Sequence, residues 1–217
     1  MYDTIMSLPL FKGIGEEQLS QLLEKTSVEF LKYEEGDTIA TGDMPVTSVD
    51  FILSGRVRQT YSLVNFTLGI DEILGKGAVV GALRLFGIDT TYSSRVIAMS
   101  KVSMMRIGKR QYMDILQSDP IYMLNFVNYL SAAAQNAPGL FVNTEGSYIG
   151  RTLETMAYSI ASRAAETIMV VGNDEEIAQY CGVTKEELEA WKLSELAHNR
   201  ILSNARGIIL KSPHLTR

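Results

Sequence analysis

The sequence predicts an α+β chain with an N-terminal β-roll, a helix suited to dimerisation, and a C-terminal winged helix-turn-helix. Three observations carry this reading. Between Val28 and Ile107, short β-prone runs are punctuated by Gly36, Gly42, Gly55, Gly69, Gly75, Gly77 and Gly81, the spacing of a small all-β barrel or roll. After Pro120, apolar residues recur at four, three and four positions, at Met123, Val127, Leu130 and Ala134, the seam spacing of a coiled coil, which suits a dimer seam better than a stripe packed on the β domain. From Asp174 onward the order is helix, glycine turn, helix, hairpin.

Each element has a local cause. Glu16 to Glu24 is a short amphipathic helix with Leu19, Leu22 and Leu23 on one side. Val49 to Leu53, Arg56 to Tyr61 and Arg95 to Ile107 each suit a strand. Lys109 to Leu116 reads as a helix, and Asp119-Pro120 opens another with proline in its first turn. Pro138-Gly139 breaks that helix, and a linker falls near Ala137 to Gly146. Tyr148 to Ala165 suits a helix and Thr167 to Val171 a strand. Ile177, Ala178 and Cys181 face inward from the next helix, and Gly182 supplies the positive φ of a sharp turn. Thr184 with Glu187 forms a capping box for a second helix, whose Leu188 and Trp191 share one face. Ile201 to Leu210 reads as a hairpin turning around Asn204 to Gly207. The expected domains are 1–118, 119–146 and 147–217.

Composition narrows the class. The chain has 217 residues, 46% hydrophobic and 21% charged, the balance of a folded protein with room for two modest domains. No apolar run approaches the roughly 20 residues of a membrane span, and the N-terminus lacks the features of a secretory signal. With the single cysteine Cys181, disulfide frameworks and cysteine-held metal clusters are excluded, and a cytoplasmic setting is expected. The net charge of −5 makes any affinity for nucleic acid local rather than global. Phosphate loops, metal-ligand spacings and nucleophile–base pairs are missing, so no enzymatic activity is expected. Cys181 reads as a small core residue.

Six motifs, in order, resemble the cyclic-AMP receptor protein and FNR family of bacterial transcription regulators across essentially the whole chain. They are Leu8 to Ile14, Tyr33 to Ile39, Gly42-Asp43, Phe51 to Val57, Gly81 to Phe86 with Ser93, and Gly150-Arg151. The resemblance implies a cyclic-nucleotide-binding-like β-roll, a homodimer and double-stranded DNA as partner, with RNA polymerase a further one. It also implies an effector pocket at Gly81, Ala82, Leu83, Tyr92, Ser93 and Ser94, and DNA contacts from the helix opened by Thr184, at Lys185, Glu186 and Ala190; the charge distribution adds Arg206 and Lys211 as candidate DNA contacts.

The pocket departs from the family pattern. Where members that bind cyclic AMP resemble Gly-Glu-Leu, this chain has Gly81, Ala82 and Leu83; where they resemble Arg-Ser, it has Tyr92 and Ser93. The carboxylate for the ribose and the guanidinium for the phosphate are both gone. Arg95 falls on an outward position in the family's register, and the adenine-contacting Thr-Ser falls on Ala137-Pro138. Cyclic AMP is therefore not expected to bind. An iron–sulfur cluster is not expected either, and haem is disfavoured because the only histidines are His198 and His214. Tyr92, Ser93 and Ser94 suit either a small neutral or aromatic effector or a closed strand and loop.

The reading end segregates its charge. From Asp174 to Glu195, seven acids stand against Lys185 and Lys192, net −5; from Arg200 to Arg217, four basic residues face no acid, net +4. Lys185 retains a guanine or phosphate contact, Glu186 can accept from cytosine, and Ala190 offers only an apolar surface. Two readings stay open. Either Arg206, Lys211 and Arg217 supply the electrostatic attraction to DNA, or the module has turned to a protein partner.

Overall fold

The structure, a computed structural model, describes residues 2–63, 67–135, 147–162 and 164–211. The predicted linker, the Ala137-Pro138 pair, His214 and Arg217 lie outside the described residues. Contacts divide the chain into two compact units, Met1–Arg58 with Gly75–Ala134, and Gln59–Leu74 with Gln135–Arg217.

In chain order, α1 (Tyr2–Met6), a 3-10 turn at Pro9–Phe11 and α2 (Glu16–Lys25) lead into β1 (Glu29–Tyr33), β2 (Thr38–Ala40) and β3 (Ser48–Ser54). The hairpin strands β4 (Val57–Ser62) and β5 (Gly69–Leu74) follow, then β6 (Val79–Val80), β7 (Ser94–Ala98) and β8 (Val102–Gly108). Two helices, α3 (Lys109–Ser118) and α4 (Pro120–Ala134), close this half.

The first unit is a roll. One sheet runs β1-β8-β3-β6, and β2 pairs antiparallel with β7. Strand alternation sorts the central strand β3. Phe51, opposite Met105, turns to the helices, where its ring lies 5.3 Å from Phe11 and Phe11 lies 6.2 Å from Tyr122. The helix α4 starts where Asp119 Oδ1 accepts from the Ile121 N–H at 2.9 Å, satisfying one of the free donors of a helix start. Its Tyr122 and Phe126 are buried, whereas Met123, Val127 and Leu130 are 41%, 47% and 36% exposed. The predicted apolar stripe therefore lies on the face turned away from the roll, and Ala134 at its end is exposed as well.

Two sequence expectations are corrected. Arg95 to Ile107 is not one strand but β7 and β8, because the chain turns at Ser100, whose hydroxyl accepts from the Arg56 N–H at 3.1 Å. The helix expected over Tyr148 to Ala165 is α5 (Tyr148–Ile160). It stops because Ala161 is extended, at φ −70° and ψ 147°, and Ala165 already belongs to β9 (Ala165–Val171).

The second unit continues with α6 (Asp174–Cys181), α7 (Lys185–Ala197), β10 (Ile201–Asn204) and β11 (Gly207–Leu210). Within it the strands lie in the order β10-β11-β9-β5-β4. Sequence segmentation places 59–74 with the N-terminal domain, but the contacts group it here, because β5 pairs with β9 along its whole length, from Gly69 opposite Val171 to Leu74 opposite Ala165. One face of this sheet, Ile70, Val170, Ile208, Ile168 and Leu210, is buried to 5% exposure or less. Ile70 thus completes an apolar layer that β9 and β11 begin. Among the described residues no helix is long and apolar enough to cross a membrane.

Phe126 touches Tyr112 and Phe86, at ring distances of 5.6 and 5.8 Å. Phe126→Ala is expected to cost about 3–5 kcal/mol of stability, checked by chemical denaturation; a loss under about 1 kcal/mol would contradict this packing.

Candidate functional site

The roll's candidate pocket is built on the turn after β6. Gly81 is left-handed, at φ +85°, and a Cβ there would stand 2.9 Å from the Ser48 carbonyl oxygen and 3.2 Å from the Tyr92 hydroxyl. Only glycine fits both constraints. The chain then makes a 3-10 turn at Ala82–Arg84. The loop beyond is tied by Asp89, which accepts from Arg84, from the Thr91 N–H at 3.1 Å and from the Thr91 hydroxyl at 2.6 Å. Those Thr91 bonds, first its hydroxyl, hold the Asp89 carboxyl below its ordinary range.

The structure sorts the six predicted pocket residues. Ala82, Tyr92 and Ser94 are buried and Gly81 is half-buried, whereas Leu83 and Ser93 are exposed. Arg95 is exposed too, in keeping with its outward register. Gly81 and Tyr92 meet directly. Burial pushes the Tyr92 hydroxyl up to about 12, so it stays protonated and uncharged at neutral pH.

Sequence reasoning missed the charges at this turn. Asp50, on β3 and fully buried, stands opposite Arg106 of β8 and opposite Val80 of β6, the residue before Gly81. Arg106 donates to it through Nε at 2.8 Å and Nη2 at 2.6 Å, and Ser48 Oγ donates at 3.0 Å. This forked pair holds the Arg106 guanidinium further above its already high range. An acid inside the apolar run Val49 to Leu53 was the available signal. From the segment that follows the Gly81 turn, Phe86 reaches Phe126 of α4, with the Lys109 ammonium 5.1 Å from the Phe86 ring centre.

The second candidate site is the helix pair of the other unit. Asn173 and Thr184 each cap a helix, and Glu176 and Glu187 return the favour to the N–H of Asn173 and Thr184, both at 2.8 Å. Gly182 is left-handed, at φ +67°, and turns the chain between α6 and α7. Trp191 and Cys181 are buried, as expected for core residues. His198 is exposed, and its Nδ1 lies 2.8 Å from the Ser194 carbonyl oxygen.

Much of the acidity proves to be structural. Glu176 and Glu187 cap, Asp174 holds Lys192 at 2.7 and 2.8 Å, and Glu195 lies 3.7 Å from Arg200. The exposed remainder is Glu175, Glu186 and Glu189, beside Lys185. Thr184, Lys185, Glu186 and Ala190 all lie on the exposed side, as does Leu193 at 70% exposure. Lys211 is exposed and bonds to Asn199.

Arg206 is differently placed. It sits in the β10–β11 turn, where its Nη2 donates to Asp71 of β5 at 2.5 Å. The Asp71 side chain is 2% exposed and that of Arg206 52%. Thr60 also donates to Asp71, at 2.6 Å. The next residue, Glu72, points to the other face, where it accepts from Tyr61 at 3.0 Å and from the Ser162 N–H at 2.6 Å. Burial raises its carboxyl from the ordinary 4.5 to about 7. Two adjacent acids within the run Ile70 to Leu74 were the overlooked signal.

Comparison with known proteins gives three results. Residues 30–119 match the cyclic nucleotide-binding domain family. No curated protein matches the chain in sequence. Among solved structures, the fold resembles the catabolite activator protein of Thermus thermophilus, with a TM-score of 0.50 and 15% identity, over 96% of this chain and 95% of that one. It also resembles the sensor domain of the transcriptional regulator DNR from Pseudomonas aeruginosa, with a TM-score of 0.51 and 18% identity, over 61% of this chain and 87% of that one.

Glu72 makes stability depend on pH. Its folded value of about 7 exceeds the ordinary 4.5, so the folded form holds the extra proton. Stability should then fall as pH rises from about 4.5 to about 7 and level off above, by up to about 3 kcal/mol. Glu72→Gln should flatten that slope in thermal melts taken between pH 5 and 8; an unchanged slope would assign it to other groups.

Proposed function

We propose that this chain is a homodimeric, DNA-binding transcription regulator whose β-roll senses something other than cyclic AMP. The observation that carries the reading is the capped helix pair α6–α7, turned at left-handed Gly182 and followed by the β10–β11 hairpin. That arrangement supports a winged helix-turn-helix, with α7 as the reading helix. The match of residues 30–119 to the cyclic nucleotide-binding domain and the resemblance along nearly the whole chain to a catabolite activator protein support a sensor joined to that reader.

The pocket chemistry argues against a cyclic phosphate. At the position where the family's pattern calls for arginine stands Tyr92, uncharged and with its hydroxyl against the Gly81 turn. The nearby Arg106 is already engaged by Asp50 through two bonds. Charge-assisted bonds are worth about 1.5–3 kcal/mol each, so the missing ribose and phosphate contacts together remove several orders of magnitude of affinity. Calorimetry with cyclic AMP should show no binding at micromolar concentration; micromolar affinity would overturn this part of the reading.

In the proposed mechanism, the exposed stripe Met123, Val127, Leu130 and Ala134 is the dimer seam. An effector at the Gly81 turn acts on α4 through the Phe86–Phe126 contact, and a shift of α4 resets the spacing of the two reading helices. Double-stranded DNA with half-sites about one turn apart is the partner, and RNA polymerase is a further one. Lys185 and Glu186 read the groove, while Arg206 and Lys211 reach phosphate.

The exposed Leu193, Glu186 and Glu189 favour a second reading, in which α7 contacts a protein. Gel shifts against genomic fragments at low and physiological salt decide between them. Sequence-selective binding that survives physiological salt supports the first; binding only at low salt and without preference supports the second. Val127→Asp with Leu130→Asp should convert the dimer to monomers in analytical ultracentrifugation and weaken operator binding at least tenfold. A wild-type protein that is already monomeric would defeat the dimer model.

A further inference from the structure

The wing arginine that the DNA reading requires is already held. Arg206 donates to a carboxylate that is 2% exposed, and that carboxylate belongs to β5, not to the helix pair or its hairpin. The β4–β5 hairpin is fixed to the reading unit by more than this bond. Six registered pairs join β5 to β9. Leu68, just before β5, lies where a Cβ on Gly172 would come within 2.2 Å of its Cδ2. The Thr67 side chain bonds to Glu176 at the start of α6, and Ser162 beyond α5 donates to Glu72.

We propose that Asp71 competes with DNA phosphate for Arg206, so that the docked β4–β5 hairpin sets the DNA affinity of the wing. The proposal rests on the DNA-binding reading and adds its control element.

The physical argument is one of exclusive partners. A guanidinium fork bonded to a carboxylate offers less charge to a phosphate, and neutralising a phosphate is what releases counterions and drives DNA binding. When Arg206 turns to phosphate, Asp71 loses a donor while still buried, and that is costly. Undocking of the hairpin exposes Asp71 to water and removes the cost. DNA binding and hairpin release therefore favour each other, as linkage requires. In sequence, the hairpin's ends at Arg58 and Gly75 belong to the roll unit, so a change in the roll has a covalent route to the clamp. Asp71 acts here through Arg206 and is a positioning residue.

The test uses the full-length protein and sheared genomic double-stranded DNA, with affinity measured by fluorescence anisotropy across a salt series. Asp71→Asn should tighten binding by about tenfold and steepen the plot of log affinity against log salt by about one ion, because one more phosphate contact forms. Arg206→Gln should weaken binding, and adding Asp71→Asn to it should then change nothing. A purely structural role for Asp71 would move both backgrounds alike. If Asp71→Asn does not fold, hydrogen exchange on the wild type replaces it: DNA should accelerate exchange of the β5 and β9 amides. An unchanged affinity and salt slope in folded Asp71→Asn, or equal or slower exchange with DNA bound, overturns the clamp while leaving DNA binding intact. Absence of DNA binding by every form, even at low salt, overturns the DNA reading and the clamp with it.

Discussion

Adjacent residues of a β-strand face opposite sides, so two consecutive carboxylates can be buried only if both faces of the strand supply donors. The β5 strand meets that condition at Asp71 and Glu72. Thr60 and Arg206 serve one face, Tyr61 and Ser162 the other. Two of these donors come from the hairpin itself and two from the C-terminal half. The second unit is assembled around this requirement: β5 cannot leave β9 without carrying Asp71 away from Arg206 and Glu72 away from Ser162. Ile70 adds the apolar share by extending the layer formed by Val170 and Ile208.

The roll shows the same principle on a smaller scale. Asp50 is fully buried and satisfied by Arg106 and Ser48. Buried pairs of this kind are weak evidence for added stability, since desolvation offsets most of their attraction. Their effect here is to commit charge. The Arg106 guanidinium is spoken for by Asp50, as the Arg206 guanidinium is by Asp71. In both units an internal carboxylate occupies an arginine side chain through paired or short bonds.

What could be read from the sequence was mostly periodic or local. The Thr184–Glu187 capping box, the Gly182 turn and the β10–β11 hairpin are each determined within a few residues and are found where they were expected, as are the strands β3 and β4. The α4 stripe follows from spacing alone, but that it faces away from the roll does not. The charge count was correct but misleading, because it could not tell the caps Glu176 and Glu187 or the paired Asp174 from the solvent-facing Glu186 and Glu189. Long-range pairings were out of reach. Nothing local in Arg206 identifies Asp71 as its partner, and nothing in Asp50 identifies Arg106. The helix expected up to Ala165 failed for the same reason, since Ala165 is claimed by its pairing with Leu74.

The position of the hairpin has a consequence for how the chain is made. Its partners lie far downstream: Glu72 bonds to a residue 90 positions on, and Asp71 to one 135 positions on. A chain emerging from the ribosome at about 5–20 residues per second exposes β5 for several seconds before β9 and the β10–β11 hairpin exist. During that interval an acid-bearing strand waits without its edge partner, and closing so long a loop is slow. The two acids buried in the finished unit also keep the waiting strand charged, which discourages it from pairing with the wrong neighbour.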